Sequence, residues 1–181
     1  MTGTFLYTSP DDERSRPLVE ALTHEYATRY GTYFGDEPGA EMRRYPAALL
    51  APPEGNFVLL LRNGMAIAGG AFKRYDEHTA DLKRIWTHEN YRRQGLARRV
   101  VLELEAQALR QHYTSIYLTT GFRQPEAKGL YLSMGYTPLF DMNLDPEIYK
   151  ILPFKKDLLP KVVTLASRRE PARSEAPQGA I

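Results

Sequence analysis

The chain contains no cysteine. Disulfides, thiolate nucleophiles, cysteine-based zinc sites and an acetyl-cysteine intermediate are therefore excluded together. A long hydrophobic run is also missing: the stretch "FVLLL" ends at Arg62, far short of the roughly 18 apolar residues that a membrane span requires. The first residues, "MTGTFLYTSPDDER", hold no basic segment followed by an apolar one. No secretion signal is read there, and a cytoplasmic protein without a membrane partner is expected. Neither sign of charge dominates, since 24 Lys and Arg face 22 Asp and Glu for a formal charge of +2. That balance argues against nucleic acid as the main partner. The histidines at 24, 78, 88 and 112 show no metal-ligand spacing, and no Gly-x-Ser-x-Gly elbow occurs. No metal is expected.

What is present is enough for one domain. The 181 residues, 43% hydrophobic and 25% charged, have the composition of a globular chain with a real core. "TFLYTSP" reads as a short strand broken at Ser9-Pro10, and Pro17 fits the first turn of a helix running to about Tyr30. Residues 31–39 read as a loop, and a second helix is expected over residues 41–50 despite Pro46. Strands follow at 56–62, 65–75 and 79–87. Asn63-Gly64 joins the first two as a hairpin turn, giving an antiparallel meander.

A helix with Ala97, Val100, Val101, Leu104 and Ala108 on one face comes next. "SIYLTT" is then a strand parallel to the one before that helix, because a crossover separates them. Pro125 opens a further helix to about Met134, where Gly135 is placed to stop it in a left-handed conformation. "YTPLF" and "YKILPFKKDL" supply the last two strands around the loop "DMNLDPE". One domain over residues 1–159 and a polar, disordered tail at 160–181 are expected.

The segment Arg92-Arg93-Gln94-Gly95-Leu96-Ala97 enters its helix with glycine where a capping Ser, Thr, Asp or Asn would sit. Free amides, the positive end of a helix dipole and the arginines at 92, 93 and 98 would attract a phosphate, with the ligand completing the cap. The loop lacks the Gly pattern of a dinucleotide-binding turn and the Gly-Lys-Ser/Thr of a P-loop. In isolation the segment reads equally well as a solvated arginine-rich first turn.

Arg92-x-x-Gly95-x-Ala97 resembles the R/Q-x-x-G-x-G/A pyrophosphate loop of the GCN5-related N-acetyltransferases, and "GLYLSMGY" is similar to their Leu-Tyr-x-x-x-Gly-Phe/Tyr element. "LKRIWTHENYRRQGLARR" and "TTGFRQPEAKGLY" resemble a subgroup acting on small molecules. The resemblance covers residues 9–159. It implies an α/β fold with a mixed, mostly antiparallel sheet of about six or seven strands and about four helices. It further implies transfer of acetyl from acetyl-CoA to an amine by direct attack in a ternary complex, with a small-molecule acceptor favoured and a monomer or homodimer. An acyl-CoA sensor or a catalytically silent module is the alternative.

By position, the resemblance assigns main-chain contacts with the donor to Ile85, Trp86 and Thr87, and the pyrophosphate loop to Arg92, Arg93, Gln94, Gly95, Leu96, Ala97 and Arg98. Gln124 stands where the family often has an asparagine against the pantetheine. Tyr131 matches the general acid, although a tyrosine packed on the sheet would look the same in sequence. Asp81 matches the place of a basic glutamate, yet it is a methylene shorter and close to Lys83 and Arg84, so a structural ion pair is an equal reading. Acceptor recognition would fall on Tyr26, Tyr30, Tyr33, Phe34, Asp36, Glu37 and Asp141. Aromatic and acidic groups of this kind suit a cationic amine, and they suit an ordinary helix pair with a wet loop as well.

Overall fold

The turn Asn63-Gly64 takes positive φ at both residues, 51° and 77°, and folds β2 (Asn56–Arg62) back on β3 (Met65–Arg74). β4 (Thr79–Thr87) continues the meander after a bend at residues 75–78. The computed structural model describes residues 3–31 and 45–158. Around the meander lie β1 (Thr4–Tyr7), α1 (Arg16–Tyr30), α2 (Leu96–Arg110), β5 (Ser115–Gly121), α3 (Pro125–Ser133), β6 (Thr137–Pro138), the single turn α4 (Pro146–Tyr149) and β7 (Ile151–Asp157). The seven strands form one mixed sheet in the order β1-β2-β3-β4-β5-β7-β6. Only the β4–β5 pair is parallel, as expected across a crossover helix.

Each sheet face buries its own apolar set, because successive strand residues point to opposite sides. On one face α2 presses Val100, Val101 and Leu104 onto Val58, Phe72, Ala80 and Leu82, and Tyr131 of α3 joins the same cluster. On the other, Leu18 of α1 packs with Phe57, Leu59, Ala71 and Trp86. The expected helix over residues 41–50 is corrected: Ala47–Leu50 forms a four-residue 3₁₀ turn, and residues 41–44 lie outside the described part. Pro46 removes the donor that would have continued a helix through it. The strand read from "YTPLF" is only two residues long. The loop read at "DMNLDPE" contains the first residues of α4, where Asp145 accepts from the Glu147 N–H at 3.0 Å. Residues 32–40 and 159–181, with the loop and tail expectations that fall on them, are likewise outside the described part. Among the described residues no helix is long and apolar enough to cross a membrane.

Candidate active site

β4 and β5 pair only from Thr79–Leu82 against Ser115–Leu118. Beyond Leu82, β4 stays paired with β3 alone, through Lys83↔Ala71, Trp86↔Gly69 and Thr87↔Ala68, with a register shift in β3 between Gly69 and Ala71. Arg84, at φ 62°, is the residue that takes up the bulge. β5 past Leu118 stays paired with β7. The two strands therefore fork, and their facing edges carry backbone N–H and C=O groups that no ladder engages. Such groups require a partner when removed from water.

Both chains that leave the fork start helices. Gly95 caps α2 from the left-handed region (φ 74°, ψ 17°) with no side-chain cap, and the first hydrogen bond of the helix runs from the Arg99 N–H to the Gly95 carbonyl at 3.1 Å. A residue with a Cβ would pay about 1–2 kcal/mol for that conformation. Leu96 is buried and anchors the turn, Ala97 is half-buried, and Arg92, Arg93, Gln94 and Arg98 are exposed. Arg98 donates to Ser133 Oγ on α3 at 2.9 Å. The segment thus combines free amides, a dipole end and cationic side chains, the combination expected of an anion site.

Ile85 and Trp86 turn their side chains into opposite cores, Ile85 beneath α2 and Trp86 beside Leu18 and Phe57. What β4 offers at the fork is main chain. Gln124, at the start of α3, accepts through Oε1 from the Gly121 N–H at 3.0 Å and the Tyr30 hydroxyl at 3.3 Å. Its amide donors make no hydrogen bond to a described residue. Tyr30 also accepts from the Arg123 N–H at 3.2 Å and is only 4% exposed. It is a latch between α1 and α3, in line with the reading of these aromatics as an ordinary helix pair. Tyr26 is half-buried against it, with ring centroids 4.9 Å apart. Asp141 is exposed and accepts from the Asn143 N–H. Tyr33, Phe34, Asp36 and Glu37 lie outside the described residues.

Tyr131 is 6% exposed and packs edge-on to Tyr136 at 5.5 Å and obliquely to Phe154 at 5.9 Å. Its hydroxyl has no hydrogen bond among the described residues, yet it is not one of the fully buried orphan atoms. Burial holds this phenol well above its usual value, so it stays protonated at neutral pH.

Asp81 is 4% exposed. Lys73 and Lys83 both lie 3.4 Å from its Oδ2, while its Oδ1 is buried without a hydrogen-bond partner among the described residues. Burial pushes this carboxyl above the usual carboxylate range, against the pull of Lys83 and Lys73. The ion pair foreseen from Lys83 is present. Lys73 was missed, although counting back from the bend puts it directly opposite Asp81. Tyr45 was missed as well; its ring stands 5.3, 5.5 and 5.7 Å from the cationic ends of Lys73, Lys83 and Arg84. A cavity of about 150 Å³ next to Tyr45 and Arg84 reaches in to Leu18 and Phe57.

The sequence profile of the GNAT acetyltransferases matches residues 19–136. The chain belongs to the GNAT acetyltransferase family. Its overall fold aligns with solved acetyltransferase structures. A candidate acyl-CoA N-acyltransferase from Klebsiella pneumoniae aligns with a TM-score of 0.65 at 22% identity, over 87% of this chain and 98% of that one. An acetyltransferase from Streptococcus agalactiae gives 0.62 at 18% identity, over 86% and 98%. The PaiA N-acetyltransferase of Thermoplasma acidophilum, solved with coenzyme A, gives 0.61 at 14% identity, over 87% and 99%. No curated protein sequence matches the chain.

Proposed function

We propose that this GNAT protein transfers the acetyl group of acetyl-CoA to the amine of a small molecule by direct attack, with both substrates bound together. The observation that carries this reading is the open edge of β4 running straight into an uncapped, arginine-flanked helix start. A ligand with a pyrophosphate joined to an amide-bearing arm matches that sequence of groups. The solved relative with coenzyme A supports the same donor. The thioester supplies an activated acetyl group.

The chain's own residues do the rest. Amides of residues 95–98 hold the pyrophosphate, with Arg92, Arg93 and Arg98 adding charge. Main-chain groups of Ile85, Trp86 and Thr87 orient the arm, and the Gln124 amide donates to it. Asp81 takes the proton that the amine must lose by way of an intervening water, since its side chain is buried, and its raised carboxyl suits it to the task. Removing that proton from an alkyl ammonium of pKa about 10.4 at pH 7 costs roughly 4–5 kcal/mol without help. Tyr131, protonated at neutral pH, gives its proton to the departing thiolate.

Calorimetry with coenzyme A, together with thiol release over an amine panel, tests the reading. Tyr131→Phe should keep coenzyme A affinity within about twofold while lowering turnover by roughly 10- to 100-fold. Binding without turnover for any amine would make the chain a silent module. An unchanged rate in Tyr131→Phe, with chemistry limiting, would reduce Tyr131 to packing.

A further inference from the structure

Lys73 and Lys83 end on one oxygen of one carboxylate, and their side chains are only 20% and 15% exposed. Two ammonium groups thus face a single negative charge, and among the described residues neither has a second carboxylate. Each ammonium carries three donors, of which Asp81 engages one. The Tyr45 ring, 5.3 and 5.5 Å from the two ammoniums, answers part of their charge but none of their remaining donors. A cation held mostly out of water is costly unless its donors and charge are both answered. Lys83 is the last residue of β4 before the bulge at Arg84 where the strands fork. It lies on the α1 side of the sheet, as does Asp81 two residues earlier. Across the parallel pair, Tyr117 stands opposite Asp81 and stacks on Tyr75 at 4.4 Å, forming the neighbouring wall. A lone alkylammonium arriving here would meet like charge.

We propose that the acceptor carries an acidic group, a carboxylate or a phosphate, close to the amine that receives acetyl, and that Lys73 and Lys83 receive that group. This specificity rests on the acetyl-transfer reading of the same site. The acid of the acceptor completes the charge balance that Asp81 leaves half made. The lysines are binding groups for the acceptor as well as partners of Asp81.

Two arms test this. In the first, the unaltered protein is assayed with matched amines, β-alanine against ethylamine and 2-aminoethyl phosphate against ethanolamine. The acidic member of at least one pair should have a kcat/KM higher by about tenfold or more, and the better pair identifies carboxylate or phosphate. In the second, protein saturated with coenzyme A, so that the pyrophosphate loop is filled, is titrated with inorganic phosphate and with acetate. Saturable binding of one anion should weaken about tenfold or more in Lys83→Gln, survive in Lys83→Arg, and tighten in Asp81→Asn, which frees both lysines. The Asp81→Asn arm keeps the test alive should Lys83→Gln fail to fold. Neutral amines used as well as acidic ones, absence of saturable anion binding, or binding unmoved by these substitutions would overturn the proposal. If the anion binds as described but no amine releases thiol, the anion site stands and acetyl transfer fails instead.

Discussion

Asp81 and Glu105 are both carboxylates buried in the core, 4% and 8% exposed, and both face lysine. Glu105, on α2, has every oxygen answered. Lys156 of β7 donates to Oε1 at 2.9 Å and to Oε2 at 3.3 Å, and the Tyr136 hydroxyl donates to Oε2 at 2.9 Å. It bolts α2 to the far side of the sheet. Among the described residues, Asp81 has two cations crowding Oδ2 and no hydrogen-bond partner on Oδ1. A completed network holds structure together, whereas an incomplete one stores demand for a partner. The first carboxylate belongs to the scaffold, and the second is the one we propose for the chemistry.

Three substitutions break or sharpen that contrast. The largest effect is expected from Asp81→Asn, which should lower turnover at neutral pH by about 10²–10⁴-fold. Part of the rate should return at high pH as free amine becomes abundant, and the acid limb of the pH profile, lying above the ordinary carboxylate range, should vanish. Stability at neutral pH should fall as well, because the substitution leaves the ammoniums of Lys73 and Lys83 without their counter-charge. That loss should shrink as pH falls through the raised folded pKa of Asp81, where the unaltered carboxyl is itself neutral. Identical pH–rate profiles for the two proteins would place both carboxylates in the scaffold.

Glu105→Ala should instead cost about 3 kcal/mol, read from denaturant unfolding, because it strands Lys156 and the Tyr136 hydroxyl. Turnover per folded molecule should be unchanged, and a selective loss of rate would erase the distinction. Tyr136→Phe is the mildest, expected to cost about 1–2 kcal/mol while Lys156 still answers Glu105. A cost near that of Glu105→Ala would mean the hydroxyl, not the lysine, is the main partner.

Local chemistry in the sequence anticipated the parts that local chemistry decides. Asn63-Gly64 announced its hairpin, Gly95 an uncapped helix, and Gly135 the end of α3 at φ 84°. The mostly antiparallel sheet followed from those turns and from one crossover. Elements too short for periodicity did not show: α4 spans four residues, and its only advance notice was the Asp145-Pro146 pair. Lys73 beside Asp81 depends on strand register rather than on neighbours in sequence. The Tyr30 latch joins residues 93 and 94 apart, and the pattern of α1 marked Tyr30 only as one aromatic among several.

Gly121 sits at the end of β5 beneath that latch, and a Cβ built there would overlap the Tyr30 hydroxyl. Its φ is not in the left-handed region, so the demand for glycine comes from the tyrosine rather than from the backbone. Position 121 therefore works as a gauge of where α1 ends: any side chain there would lift the phenol off the Gln124 oxygen and the Arg123 N–H. A mutational scan should accordingly record intolerance at 121 that Tyr30→Phe partly relieves, two distant sites failing and recovering as one.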